Sequence, residues 1–187
     1  ALSALQAEMM QWPIPQSVAD SWSQRWASQL GSQGVFVRSS SSSEDLPNFS
    51  GAGLYTTVPN VRSSADLAAA VRKVWASVYN FEAWEARQAA GLDDQQVMMS
   101  VLVQKAVDST ASGVMITRDP FDASRRHMSY IAAKRGIGIR VVEGQRVAEQ
   151  ILYSSRSKAV QVLNRSQDDV ALQLDTNGGV REVAVAT

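Results

Sequence analysis

Arg38 is followed by five consecutive serines, Ser39 to Ser43, and then by the small-residue run Gly51-Ala52-Gly53, which leads through Leu54 and Tyr55 to Thr56. Phosphate oxygens take many short hydrogen bonds and favour a fixed positive charge, and backbone N–H groups, hydroxyls and a planar guanidinium supply both. The stretch therefore suits a bound polyphosphate, with Gly51 and Gly53 letting the backbone come close. Serine runs also occur as flexible linkers, and Arg38 alone would be a surface charge. The apolar run Gly34 to Val37 favours the ligand loop: it reads as a short strand ending at Arg38, which puts the arginine at a strand end.

The elements that position these residues can be read from spacing. Ser17 with Asp20 forms a capping pair, and Val18, Trp22 and Trp26 then recur every four residues to Leu30 and Gly31, an amphipathic packing helix. Ser63 and Asp66 repeat the pair, with Leu67, Val71, Val74 and Val78 along one face. Phe81 to Ala90 reads as a further helix closed by Gly91, and Trp75, Tyr79 and Trp84 read as packing residues. Val97 to Val103 is apolar and β-rich; after a turn at Asp108 to Gly113, Val114 to Thr117 returns, and the two strands are expected to pair. Met128 to Ala133, Val147 to Tyr153, Ala159 to Leu163, Val170 to Leu174 and Val180 to Val185 follow as short strands, the last two joined by the hairpin signal Asn177-Gly178-Gly179. Helices early and strands late, without βαβ alternation, predict an α+β class with a mixed, mainly antiparallel sheet and packing helices.

Bulk composition narrows the function. The 187 residues, 45% hydrophobic and 19% charged, suffice for one well-cored domain. Eighteen basic residues balance eighteen acidic ones at a pI near 6.9, so neither nucleic acid nor an anionic membrane is an expected partner and any anion site must be local. The absence of cysteine excludes disulfides, thiolate metal sites and thiol nucleophiles. Ala1 to Met10 lacks the form of a signal peptide and no apolar run matches a bilayer, so a soluble cytoplasmic protein is expected. Asn48-Phe49-Ser50 and Asn164-Arg165-Ser166 fit the glycosylation pattern and are read as accidents of composition.

Val37-Arg38-Ser39-Ser40, Glu44-Asp45-Leu46-Pro47, Ser50-Gly51-Ala52-Gly53 and Val58-Pro59-Asn60-Val61 resemble the nucleotide-binding domain of phosphoenolpyruvate synthase, pyruvate phosphate dikinase and related dikinases. Gly51 to Tyr55, running into Val58 to Val61, is particularly similar to the plant glucan water dikinases. Val74-Trp75-Ala76-Ser77-Val78-Tyr79, Val101-Leu102-Val103-Gln104 and Ser112-Gly113-Val114-Met115-Ile116-Thr117-Arg118-Asp119-Pro120 continue the match in order. The resemblance implies an ATP-grasp-like fold, with ATP lying between two subdomains. It implies phosphate contacts from Arg38 with Ser39, a covering loop of Gly51, Ala52, Gly53 and Thr56, and an adenine edge at Gln104 and the Lys105 to Val107 backbone. Gln104 could equally satisfy local backbone. Residues 1–187 are then a single partial ATP-binding domain, with 1–33 a helical lead-in and 34–187 the nucleotide-binding subdomain.

The chain also departs from the family. A glutamate before a Gly-Leu-Gly-Glu turn faces the nucleotide and Mg²⁺ in the family; here Ala132 and Ile139 fall at those positions, in Ile131 to Arg140, and neither side chain supplies an oxygen ligand. Arg118, Arg125, Arg126, Lys134, Arg135 and Arg140 outnumber Asp119 and Asp122 between 118 and 140. That segment reads either as a solvated face or as an anion site, built around Arg135 and Arg140, in which fixed cations replace the metal. The glycine- and lysine-rich segment that opens the family domain, its later Gln-x-Arg-Pro segment and its phosphohistidine domain have no counterpart, and His127 reads as an ordinary surface residue. The expectation is an ATP-binding fragment of a larger phosphotransferase, inactive by itself and partnered by the parent's remaining domains. The alternative is a non-catalytic module that has lost its metal-binding carboxylates. No residue is assigned to catalysis or to a metal, and the acceptor, be it pyruvate, a glucan or an antibiotic, is bound elsewhere in the family.

Overall fold

The computed structural model describes residues 1–30, 34–139, 148–166 and 168–185. They fall into two compact units, Ala1–Ala106 with Asp175–Gly179, and Val107–Leu174 with Val180–Thr187. The class is α+β, and every strand ladder among the described residues is antiparallel.

The first unit opens with α1 (Leu2–Met9) and α2 (Gln16–Arg25), which runs on into a π-helical turn, Trp26–Leu30. The expected cap at Ser17 does not form. Pro15 occupies the N-cap position, and Asp20 instead accepts from Gln16 Nε2 at 2.8 Å. Proline's fixed φ breaks the preceding chain and presets the entry to the helix, so it sets the start. Of the predicted stripe, Val18 is exposed, whereas Trp26 is buried.

α3 (Ser64–Ala76) begins where its capping pair places it. Ser63 Oγ accepts the Asp66 N–H at 3.1 Å and donates to the Asp66 carboxylate at 2.6 Å, a cap worth about 1 kcal/mol. Leu67, Ala70, Val71 and Val74 on α3 pack with Trp26, Val35, Val37 and Val61 to form the core of this unit. α4 (Phe81–Ala89) follows and closes at Gly91, where φ is +68°.

Three strands lie against α3. β1 (Val35–Ser41) is central, after which a small hairpin of β2 (Asp45–Leu46) and β3 (Phe49–Ser50) leads to β4 (Val58–Val61), and β5 (Met99–Lys105) completes the order β4-β1-β5. Two expectations are corrected here. β1 does not end at Arg38 but pairs without a break from Val35↔Lys105 to Ser41↔Met99. β5 does not pair with the strand that follows it in sequence; its neighbour is β1. Val101 and Val103 alternate in phase with Val35 and Val37, so pairing with β1 extends the apolar face under α3.

The second unit holds a four-stranded meander of β6 (Ala111–Ile116), β7 (Met128–Arg135), β8 (Glu149–Ser154) and β9 (Val160–Asn164), and a hairpin of β10 (Val170–Leu174) with β11 (Val180–Ala184). The hairpin forms where Asn177-Gly178-Gly179 predicts it, with φ of +106° and +70° at the two glycines. At the end of β7, Gly136 adopts φ +77° and the N–H of Ile137 donates to the Leu172 carbonyl at 2.8 Å. A Cβ at Gly136 would strike the Leu172 carbonyl oxygen, so only glycine allows this approach.

Candidate functional site

Alternation divides β1 into two faces. Val35, Val37, Ser39 and Ser41 lie on the α3 side, and Phe36, Arg38 and Ser40 on the other. The register sets Phe36 opposite Gln104, Arg38 opposite Leu102 and Ser40 opposite Ser100. Arg38 and Gln104, predicted separately, therefore share one face of adjacent strands. Arg38 is exposed, its Cζ 5.2 Å from the centroid of the buried Phe36 ring. A guanidinium resting on an aromatic face keeps its N–H donors available. Among the described residues Arg38 has no carboxylate partner. Leu102, 53% exposed, adds an apolar patch between the cation and the amide.

The loop after β1 is anchored at its feet and open at its tip. Ser41 N–H donates to Glu44 Oε2 at 3.0 Å, Gly51 N–H to the Glu44 carbonyl at 2.8 Å, and the Ser43 and Tyr55 hydroxyls meet at 2.7 Å in a buried contact. Ser42 Oγ accepts from Met98 N–H at 3.0 Å. On the far side Asn80 Nδ2 donates to the Leu54 carbonyl at 3.1 Å and Thr56 Oγ1 at 3.4 Å, and Gln6 in turn donates to Asn80 Oδ1 at 3.1 Å. Ala52 and Gly53 at the tip are exposed, and their N–H groups have no acceptor among the described residues. A Cβ at Gly51 would sit 2.9 Å from the Ser43 carbonyl and 3.2 Å from the Tyr55 ring; Gly53, at φ +79°, has open space around it. The two glycines serve different needs, packing at 51 and backbone conformation at 53.

The serine run is thus neither linker nor simple ligand loop. Ser41, Ser42 and Ser43 hold the loop's base, and Ser39 lies on the α3 face opposite Val101. The hydroxyl on the face of Arg38 belongs to Ser40, which alternation from Arg38 would have identified. Phe36 and Asn80 were also missed: one is an apolar strand residue and the other acts from a distant turn. Lys105 ends β5, Ala106 N–H donates to the Gly34 carbonyl at 2.8 Å, and Val107 is 71% exposed.

The basic segment divides. Lys134 is buried with Nζ 3.2 Å from Asp168 Oδ2, and Arg125 pairs with Asp122 at 3.1 Å and Asp119 at 3.5 Å. Arg118, Arg126 and Arg135 are exposed, while Arg140 lies outside the described residues. Ala132 sits within β7 between Val114 and Gln150, and neither its side chain nor that of Ile139 offers an oxygen to a metal.

The model of the family described as pyruvate phosphate dikinase, AMP/ATP-binding domain, matches residues 1–187. The chain is 31% identical to a probable phosphoenolpyruvate synthase of Pyrococcus horikoshii over 180 residues, 92% of this chain, and 36% identical to a rifampicin phosphotransferase of Bacillus subtilis over 137 residues, 73% of this chain. A phosphoenolpyruvate synthase of Aeropyrum pernix is 33% identical over 141 residues, 75% of this chain. The chain spans 22%, 16% and 17% of the lengths of these three proteins. It belongs to the pyruvate phosphate dikinase AMP/ATP-binding domain family.

Proposed function

We propose that this member of the family is the ATP-binding part of a phosphoenolpyruvate synthase-like phosphotransferase. The observation that carries the reading is the meeting of Arg38 and Gln104 on one face of β1 and β5. Arg38 supplies a fixed charge for phosphate oxygens, the Ala52 and Gly53 N–H groups at the loop tip supply donors, and Thr56 Oγ1, already accepting from Asn80, keeps its proton to donate. Gln104 and the Lys105 to Val107 backbone offer an amide and main-chain polar groups to a base edge, and Leu102 an apolar surface to its face. Gly51 holds the loop's foot, and Ser39 contributes through its backbone. These residue types fit ATP. They extend the antiparallel α+β architecture to an ATP-grasp reading of residues 1–187.

Magnesium does not fit the positions where the family pattern would put its carboxylates. The side chains of Ala132 and Ile139 have no oxygen to give. In the parent, ATP would phosphorylate a histidine on another domain, which passes the group to an acceptor; this chain's share is binding and charge neutralisation, and alone it is inactive. The partners are ATP and the parent's remaining domains, in the cytoplasm. Among the described residues no helix is long and apolar enough to cross a membrane.

The same two substitutions support a second reading, a nucleotide-binding module without phosphotransfer. Calorimetric titration with ATP, with and without Mg²⁺, separates the two: metal-strengthened binding favours the kinase part, and metal-independent binding the module. Absence of ATP binding under both conditions would overturn both.

A further inference from the structure

At one end of the four-stranded sheet two connections are locked side by side. The register pairs Met128 with Ser154, and just beyond it Ser155 donates its N–H, at 2.9 Å, and its hydroxyl, at 3.2 Å, to the His127 carbonyl. Arg126 and His127 from the connection before β7 thereby join Arg156 and Ser157 from the β8–β9 turn. With Ser154 and Gln161 they line an open depression of about 440 Å³, a size suited to a small molecule.

The lining is rich in donors, and two of its three guanidiniums have no carboxylate partner among the described residues. Arg125 also borders the depression, but Asp119 and Asp122 already engage it. Arg126 and Arg156 are exposed and have no carboxylate partner among the described residues. Ser154 Oγ accepts the Ser157 N–H at 3.2 Å, and Ser157 Oγ accepts the Ala159 N–H at 3.4 Å. Each hydroxyl proton is therefore left to donate. The turn carrying them passes through Lys158 at φ +61°, a left-handed conformation that costs a non-glycine residue about 1 kcal/mol.

We propose that this depression binds a phosphate group, free or as the monoester of a small molecule, through Arg126 and Arg156 with the Ser154 and Ser157 hydroxyls. Two guanidinium forks and two hydroxyl donors match the unprotonated oxygens of a phosphate dianion. His127 and Gln161 border the group that carries it. The site uses no residue of the Arg38 face and does not depend on the nucleotide reading. It also accounts for the basic segment differently from its sequence: with Lys134 and Arg125 paired internally, the surplus that converges is Arg126, joined by Arg156 from outside the segment.

Inorganic phosphate titrated into the ¹⁵N-labelled chain, with chloride at matched ionic strength as the control, tests this. Saturable amide shifts at His127 and at Ser155 to Ser157 are expected with phosphate only. In the R126A/R156A double variant the affinity should fall at least tenfold, while Arg165→Ala, which replaces an exposed arginine paired with Glu149, leaves it unchanged. All the replaced arginines are exposed, and circular dichroism checks that each variant is folded. Glycerol 3-phosphate binding more tightly than inorganic phosphate identifies a monoester ligand, and the reverse order free phosphate. Shifts that do not saturate, that chloride reproduces, or that persist at full affinity in the folded double variant would overturn the proposal.

Discussion

Arg38 extends its charge into solvent with the Phe36 ring beneath it, so its removal should affect binding without affecting folding. Arg38→Gln is expected to weaken ATP binding by about 1.5 to 3 kcal/mol, the range for hydrogen bonds to charged groups, while the melting temperature stays within about a degree. Phe36→Leu should split the other way, with a loss of about 0.5 to 1 kcal/mol in ATP affinity from the lost ring face and a clear fall in melting temperature, since that ring is buried. Titration calorimetry and thermal melts on both variants check the pair. Asp122 provides a prediction in pH. The Ser124 hydroxyl at 2.6 Å and N–H at 2.9 Å, and then Arg125, hold its carboxyl below the usual 3.8. A lowered folded-state value means that the ionised loop is favoured above the unfolded value and loses that advantage as pH falls through the folded one. Carbon-detected titration should place the Asp122 midpoint below 3.8, and Ser124→Ala, which removes the largest cause, should raise it.

At the scale of elements, the turn Asp175–Gly179 belongs to the first unit through Asn60. Asn60 is fully buried at φ +50°, and its Nδ2 donates to the Asp175 and Gly179 carbonyls, each at 2.7 Å. Gly34 beneath it must be glycine, because a Cβ there would run into Asn60 Oδ1. Asn60→Ala removes two hydrogen bonds, although the Asp175 and Gly179 carbonyls keep the N–H groups of Gly178 and Asp175, and should cost about 1 to 3 kcal/mol in urea unfolding. Gly51→Ala pushes against the Ser43 carbonyl and the Tyr55 ring; it should cost about 1 to 3 kcal/mol and loosen hydrogen-exchange protection from 43 to 55. What could be read in the sequence was local: the Ser63–Asp66 cap and the hairpin at Asn177 to Gly179 follow from residues within one turn of each other. The partner of β5 was not legible, because the strand that completes its apolar face lies before α3 in the chain, and nearness in sequence favoured β6 instead. Arg38 and Gln104 were found through motifs, yet their shared face follows only from that non-local pairing. The end of β1 was misplaced because serine is a weak strand former in isolation; beside Glu44, Met98 and Tyr55, the hydroxyls and N–H groups of Ser41 to Ser43 find partners that hold the strand's end.

Across the whole molecule, eighteen acids cancel eighteen bases, so attraction for a polyanion must come from local arrangement and not from a general field. Phosphoryl transfer asks for more than attraction: the attacking and leaving oxygens must be aligned and the charge spread over the transferred group neutralised. On the nucleotide reading Arg38 gives one fixed charge, the side chains of Ala132 and Ile139 give no metal ligand, and the chain spans about a fifth of the Pyrococcus relative's length, 22%. Its single histidine, His127, is exposed and has its backbone carbonyl engaged by Ser155. Incubated with ATP and Mg²⁺, the chain is therefore expected to bind nucleotide but to release neither phosphate nor AMP, and to acquire no acid-labile phosphate. Radiolabelled ATP followed by acid and base treatment measures this directly. A label at His127 that disappears in Arg38→Gln would mean that this chain completes a transfer by itself, and that the role assigned to it here is too small.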